Sequence, residues 1–204
     1  MVFSSITFLF IFLPAVFLLY FFGRKELRNS ILLLVSLIFY FWGEQSIVLL
    51  LIGSIIVNYS ISLLLEKFKG HSSNKKSTLL KKVILSVAII FNLGILGYFK
   101  YYNFFLENID TFFDQPIEWT QVALPIGISF YTFQAISYVV DVYKGQVKAT
   151  KSIINFGCYL TFFPQLIAGP IVRYIDIEKK LKKREESLND IAYGAERFII
   201  GLGK

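Results

Sequence analysis

Residues 124–143, LPIGISFYTFQAISYVVDVY, and residues 162–174, FFPQLIAGPIVRY, are apolar enough for a lipid bilayer, yet they carry proline, glycine and polar side chains along their length. The hydrocarbon core offers nothing to replace the hydrogen bonds of water, so unpaired polar groups are not tolerated there. Such segments must fold against other protein or line a cavity. The rest of the chain is suited to supply that protein: of its 204 residues 55% are hydrophobic and 17% charged, with a mean hydropathy of +0.61. That balance excludes an ordinary soluble domain and makes this an integral membrane protein.

A helix that spans the bilayer needs about 20 apolar residues. The apolar runs are 6–22, 31–42, 47–65, 83–99, 122–142 and 153–172, and another begins at 191–203, ahead of Lys204. They predict an all-α polytopic protein with about five to seven membrane segments, several of them tilted, broken or re-entrant. The first seven residues hold no Lys or Arg, and no small-residue cleavage pattern follows the first run, so that run is read as retained rather than as a signal peptide. Cys158 is the single cysteine, which rules out a disulfide within the chain and suits a buried packing residue.

The loop charges give an orientation. Arg24, Lys25 and Arg28 follow the first run, Lys67, Lys69, Lys75, Lys76, Lys81 and Lys82 follow the third, and Lys144, Lys148 and Lys151 follow the fifth. The alternate loops hold Glu44 in one case, and Lys100 with Glu107, Asp110, Asp114 and Glu118 in the other. Cytoplasmic loops carry the excess of Lys and Arg, so the N-terminus is expected outside. A complete sixth span would then place Arg173, Lys179, Lys180, Lys182, Lys183 and Arg184 outside. Pro164 and Pro170, with Gly169 between them, resolve the conflict. Each proline removes a backbone donor and disfavours helix in the residue before it, which predicts a re-entrant element over 153–172. The mixed run 178–186 then reads as a solvated or amphipathic cytoplasmic helix.

Helical spacings of four and three place Gly127, Tyr131, Gln134, Tyr138 and Asp141 on one stripe of the fifth run. Two readings stand open: the wall of a tunnel that meets a polar ligand, or a contact between helices with Asp141 solvated or paired to Lys144. Ser54, Asn58 and Ser62 form a similar stripe, read as an interhelical contact. No HExxH, CxxC or GxxxxGK[ST] motif is present, and the only histidine, His71, lies in the polar loop GHSSNKKS. No metal is expected. The basic loop suits anionic lipid headgroups rather than nucleic acid, and 98–105, YFKYYNFF, suits an interfacial aromatic belt.

The segments VFSSITFLFIFLP (2–14), RNSILLLVSLIFYFWGE (28–44), NYSISLLLE (58–66), LPIGISFYTFQAISYVVDVYKG (124–145) and FFPQLIAGPIVRY (162–174) together resemble the N-terminal part of the membrane-bound O-acyltransferase (MBOAT) family, and within it the alginate O-acetyltransferase branch. The resemblance runs over nearly the whole chain. It implies a multi-pass enzyme of the cell (inner, cytoplasmic) membrane whose helices surround a tunnel. The acyl donor, an acyl thioester or acyl carrier, is then a co-substrate arriving from the cytoplasmic side rather than a bound cofactor. The acceptor is a hydroxyl of an extracellular polysaccharide such as alginate, and an acyl-donor protein and extracellular acetylation proteins are implied partners. The catalytic histidine of the family belongs to its second half. No residue here matches it, and the resemblance places it downstream of Lys204. The chain is therefore expected to be the N-terminal part of a single MBOAT-like domain, truncated at its C-terminus and inactive alone.

Acyl transfer to a sugar hydroxyl needs a base for the proton and donors for the developing oxyanion, kept away from bulk water. Position and polarity single out Tyr131, Gln134, Tyr138, Asp141, Gln165 and Arg173 as groups that line the tunnel or orient substrate. Two other functions remain in view: a transporter or channel-like module built on the broken segment, and D-alanyl transfer to teichoic acid within the same family. The VFSS opening and the FYTFQ motif point away from the latter.

The charge asymmetry makes a direct prediction. With Cys158 replaced, cysteines at positions 73 and 183 should be shielded from an impermeant thiol reagent in intact cells, and one at position 110 labelled. Labelling at 183 but not at 73 would refute the re-entrant scheme.

Overall fold

The computed structural model describes residues 5–68, 75–110, 120–167, 169–184 and 186–203. His71, the loop charges Lys69, Asp114 and Glu118, and Lys204, beyond which the catalytic histidine is expected, lie outside the described residues. A π-helical turn at Phe8–Phe12 runs into α1 (Leu13–Phe22). Then follow α2 (Arg28–Glu44), α3 (Val48–Lys67), α4 (Lys75–Asp110), α5 (Ile128–Lys144), α6 (Ile153–Thr161), α7 (Phe163–Leu166), α8 (Tyr174–Lys182) and α9 (Leu188–Leu202), with no strand among the described residues. The last apolar run thus forms α9, which ends at Leu202, short of Lys204. Three helices, Lys25–Glu44, Val48–Lys67 and Lys76–Asp110, are long and apolar enough to cross a membrane, and Phe8–Phe22 is a shorter apolar helix. The protein is all-α and polytopic. Phe10, Leu34, Leu49, Ile90 and Phe104 stand exposed on the outer faces of these helices, an arrangement that suits lipid and not water.

Lipid gives no hydrophobic drive for helices to associate, so polar pairs and close packing do the work. Asn58 on α3 and Asn92 on α4 exchange amide hydrogen bonds, Asn92 Nδ2 donating to Asn58 Oδ1 at 2.7 Å and Asn58 Nδ2 to Asn92 Oδ1 at 3.2 Å. Both side chains are buried. Within the stripe of Ser54, Asn58 and Ser62, Asn58 thus makes the contact with α4 and also donates to Ser54 Oγ at 3.2 Å, whereas Ser62 Oγ donates to Tyr59 O of its own helix at 2.7 Å. The run 83–99 is only the centre of α4, which has 36 residues. At 1.5 Å per residue it is about 54 Å long, well beyond the ~30 Å hydrocarbon core.

The run 122–142 becomes helical only from Ile128, because Gly127 sits in the left-handed region at φ 76° and starts the helix there. From that point α5 runs about 26 Å at 1.5 Å per residue. Behind it the segment 153–172 goes in and comes back. Ser152 caps α6 by accepting from Asn155 N, and the chain breaks at Phe162, whose ψ of 109° is not helical, just before Pro164. α7 then carries Leu166 onto Gly127, at the far end of α5. The helical residues of α6 and α7 together reach about 20 Å, and an extended stretch can return that distance in about six or seven residues. Residues 169–173 contain no helix, and Tyr159 Oη donates to Val172 O at 3.1 Å, so the returning segment lies against α6. Arg173 ends beside Asp141 and Gln146, at the end of α5 where the segment began. Entry and exit share one end of the bundle.

One expected boundary moves. The solvated run 178–186 is not a single helix: α8 opens at Tyr174 and stops at Lys182, and Lys183 is extended. Tyr174 and Leu181 are buried and hold α8 to the bundle, while Glu186 turns back to pair with Arg28 at 2.5 Å.

Gly127 is the position least able to accept a side chain, since a Cβ there would sit 2.5 Å from Leu166 O in addition to the positive φ. Gly127→Ala should destabilise the fold by about 1–3 kcal/mol. Gly53, in α3, has open space around its Cβ direction, and Gly53→Ala should be neutral or stabilise by about 0.5–1 kcal/mol. Equilibrium unfolding in mixed micelles would compare them, and equal effects would refute the close approach of the hairpin tip.

Candidate functional site

The polar stripe of α5 is its buried face. Tyr131, Gln134, Tyr138 and Asp141 are all nearly inaccessible, whereas Phe130 and Phe133 on the other faces are exposed. A helix in water would show the reverse pattern; here the polar side must meet the hairpin, and the apolar side suits lipid.

From the far end of α5 inward, each group has a definite place. Tyr131 Oη is buried without a hydrogen-bond partner among the described residues. A buried hydroxyl left so typically costs about 1–3 kcal/mol, which makes it a group that a further ligand would satisfy. Near it Tyr40 Oη donates to Ile126 O at 3.1 Å, tying α2 to the start of α5. Gln134 Nε2 donates to Tyr159 O at 2.9 Å, and Tyr159 Oη donates to Gln134 O at 3.3 Å. Tyr138 Oη accepts from Thr150 N at 2.9 Å. Its ring lies 4.8 Å from those of Phe156 and Tyr174, and Tyr159 lies 5.1 Å from Tyr174. These four rings join α5, α6 and α8.

Asp141 closes the row. Its carboxylate accepts from Arg173 Nη2 at 2.6 Å and from Arg173 Nε at 3.3 Å, and Arg173 Nη2 also donates to Gln146 Oε1 at 2.8 Å. The sequence left Asp141 facing a tunnel, solvated or paired to Lys144; the hairpin brings Arg173 to it, with a planar fork that matches a carboxylate in a way an ammonium cannot. The Asp141 side chain is 5% exposed and that of Arg173 49%, so the pair spans the boundary between bundle and surroundings.

Gln165 stands apart. Its Nε2 donates to Pro170 O at 3.0 Å across the hairpin tip. Of the six side chains singled out from the sequence, Gln165 is the one that lines a large apolar cavity of about 1100 Å³ between α1, the hairpin, α8 and α9. The structure therefore groups Tyr131, Gln134, Tyr138, Asp141 and Arg173 along α5, and sets Gln165 on the opposite side of the hairpin.

Sequence reasoning passed over Tyr159, Tyr174 and Thr150, which lack any distinguishing spacing of their own. It also missed a polar cluster at the basic end. There Tyr20 and Arg28 bond to Glu186, Arg184 Nη2 donates to Asn29 Oδ1 at 2.7 Å, and Asn29 Nδ2 donates to Asn155 Oδ1 at 2.8 Å. Burial pushes the Glu186 carboxyl up, but the Tyr20 and Arg28 hydrogen bonds and the Arg28 and Arg184 charges outweigh it and hold the group below its usual range. The depressed value means that this contact stabilises the fold above the ordinary carboxylate pKa and is lost as pH falls through the lowered one.

Comparison with known proteins bears on this architecture. The chain is similar to the probable alginate O-acetylase AlgI of Pseudomonas aeruginosa, 39% identical over 208 aligned residues that take in 100% of this chain and 39% of that protein. The similarity takes in the whole of this chain and recurs in a probable alginate O-acetylase of Pseudomonas syringae, 40% identical with 39% of that protein covered. The chain is also similar to a peptidoglycan O-acetyltransferase of Helicobacter pylori, 33% identical with 100% of this chain and 44% of that protein covered. A teichoic acid D-alanyltransferase of Bacillus subtilis matches only 38% of this chain at 28% identity, covering 20% of its own length. No protein-family model and no solved structure matches the chain. The chain spans about two fifths of the length of the alginate O-acetylases it matches.

The Asp141–Arg173 pair generates a prediction. Arg173→Gln leaves a buried carboxylate without its cation and should lower the stability of the fold. Asp141→Asn combined with Arg173→Gln should recover part of that loss in a double-mutant cycle read by equilibrium unfolding. Additive losses would show that the pair does not hold the hairpin.

Proposed function

We propose that this chain forms the N-terminal portion of a membrane-bound O-acetyltransferase that passes acetyl groups to hydroxyls of an extracellular polysaccharide such as alginate. The observation that carries the reading is homology over the full chain to proteins whose names state O-acetyl transfer to alginate and to peptidoglycan. The short, weaker match to the D-alanyltransferase makes that activity the lesser reading, and the transferase names leave a transporter without support.

The enzyme is placed in the cytoplasmic (inner) membrane with its N-terminus outside. The loop charges support this orientation, and so does the convergence of basic segments at one end of the bundle, where Arg28 and Arg184 flank Tyr20 and Arg173 meets the loop after α5. An acyl thioester or a loaded carrier protein would approach that end. The acceptor polysaccharide, and any extracellular proteins that present it, would approach the other, where the Tyr131 hydroxyl has no partner among the described residues.

Within this scheme the chain supplies position rather than proton transfer. The reaction joins the acceptor hydroxyl oxygen to the acetyl carbon, breaks the donor thioester bond and passes the hydroxyl proton to a base. The described residues contain no histidine, and the family resemblance puts the base downstream of Lys204. Gln134, Tyr138 and Asp141 hold α5 against the hairpin. No metal or bound cofactor enters the scheme.

Acetyl transfer from a labelled thioester to alginate oligosaccharide tests it. The complete enzyme should transfer, and the 204-residue chain alone should not. His71→Ala in the complete enzyme should change turnover by less than about threefold, under roughly 1 kcal/mol of barrier. Transfer by the short chain that His71→Ala abolishes would overturn the assignment.

A further inference from the structure

Two cavities meet at the basic end of the molecule. The smaller, about 380 Å³, is polar and lined by Lys25, Glu26, Arg28, Asn29, Asn155 and residues 181–184. Five of its lining residues are basic, Lys25, Arg28, Lys182, Lys183 and Arg184, against the single carboxylate of Glu26. Lys182 pairs with Glu178 and Arg28 with Glu186. Even so, Arg28 keeps Nε buried with no hydrogen-bond partner among the described residues. The pocket also lies at the start of the 17-residue α2, which has no side-chain cap, so the helix adds its positive end.

The larger cavity, about 1100 Å³, adjoins it and shares Leu181 and Arg184 as wall. It follows the π-helical turn and α1 from Phe8 to Tyr20, about 18 Å at 1.5 Å per residue. Its walls are apolar for most of that length, and its charged residues are Lys180, Arg184 and Asp190. Asp190 is already engaged by Ser187, whose hydroxyl lies 2.6 Å from Oδ2. One leaflet of a bilayer is about 15 Å deep, half the ~30 Å core. The slot thus has the depth of one leaflet, a cationic mouth and more room than the about 300–1,000 Å³ of a drug-sized ligand pocket.

We propose that the two cavities form one site for an anionic phospholipid, its phosphate held by Lys25, Arg28 and Arg184 and its acyl chains lying along α1. A free phosphate would leave the slot unfilled, and a zwitterionic lipid would bring an ammonium group of its own to a pocket lined by five basic residues. The site lies on the far side of the hairpin from the α5 stripe, so the proposal stands whether or not the acetyl-transfer reading holds.

The test uses the complete protein, delipidated and then equilibrated with equal amounts of phosphatidylglycerol and phosphatidylethanolamine, with retained lipid read by native mass spectrometry. Phosphatidylglycerol should be enriched about tenfold. Removing two of the cations near the headgroup, Lys25→Gln with Arg184→Gln, should bring the two lipids to within about threefold. Arg184 also bonds to Asn29, and a second variant guards against misfolding. Gly194 on α9 lines the slot and has open space beyond its Cα, so Gly194→Trp should reduce retention of both lipids while leaving every charge in place. Equal retention of the two lipids by the wild-type protein would overturn the proposal. So would undiminished retention in Gly194→Trp, which would mean that another part of the protein fills the slot. Displacement of the lipid by glycerol phosphate at the same concentration would reduce the site to a phosphate pocket and also overturn it.

Discussion

The ion pair between Asp141 and Arg173 joins the last turn of α5 to the residue at which the hairpin comes out. Residues 153–172 contain two prolines and a helix break, and in lipid such a segment survives only if its freed backbone groups find protein partners. Holding entry and exit together at one end of α5 lays the returning segment against α6, where Tyr159 reaches both Gln134 O and Val172 O. Phe163 N is satisfied by Ser36 Oγ of α2 at 3.1 Å. With the exit elsewhere, these donors and acceptors would be left in a medium that cannot replace them.

The same arrangement explains why polar side chains line the hidden face of α5. Gln134, Tyr138 and Asp141 each bond to the hairpin or to the loop that leads into it. They build the wall before they can do anything else. Tyr131 differs: its hydroxyl is buried without a partner among the described residues, at the end opposite the ion pair, and of the stripe it has the most capacity left for a ligand.

The two sides of the hairpin have distinct character. One is the closely packed aromatic and polar seam of α5, α6 and α8; the other is an open apolar slot that ends in cations. Packing against protein selects the first composition, because buried polar groups must be paired. The second resembles a surface meant for an amphipathic molecule, with its charges at one end only.

Much of this was legible from residue order alone. The composition made the protein helical and membrane-bound, the prolines at 164 and 170 marked where a helix must break, and the Lys and Arg counts required residues 173–184 to return to the side they left. The Ser54, Asn58 and Ser62 spacing marked a seam, because helical periodicity is a local property. Other features depended on residues distant in sequence. Arg173 as the partner of Asp141, Glu186 folded back on Arg28, Tyr131 without a partner among the described residues, and Gln165 facing away from α5 all depend on how the hairpin packs. Periodicity places a side chain on a face of its helix, but which distant group meets that face is set by tertiary packing, where each buried polar atom takes whatever partner the fold brings within reach.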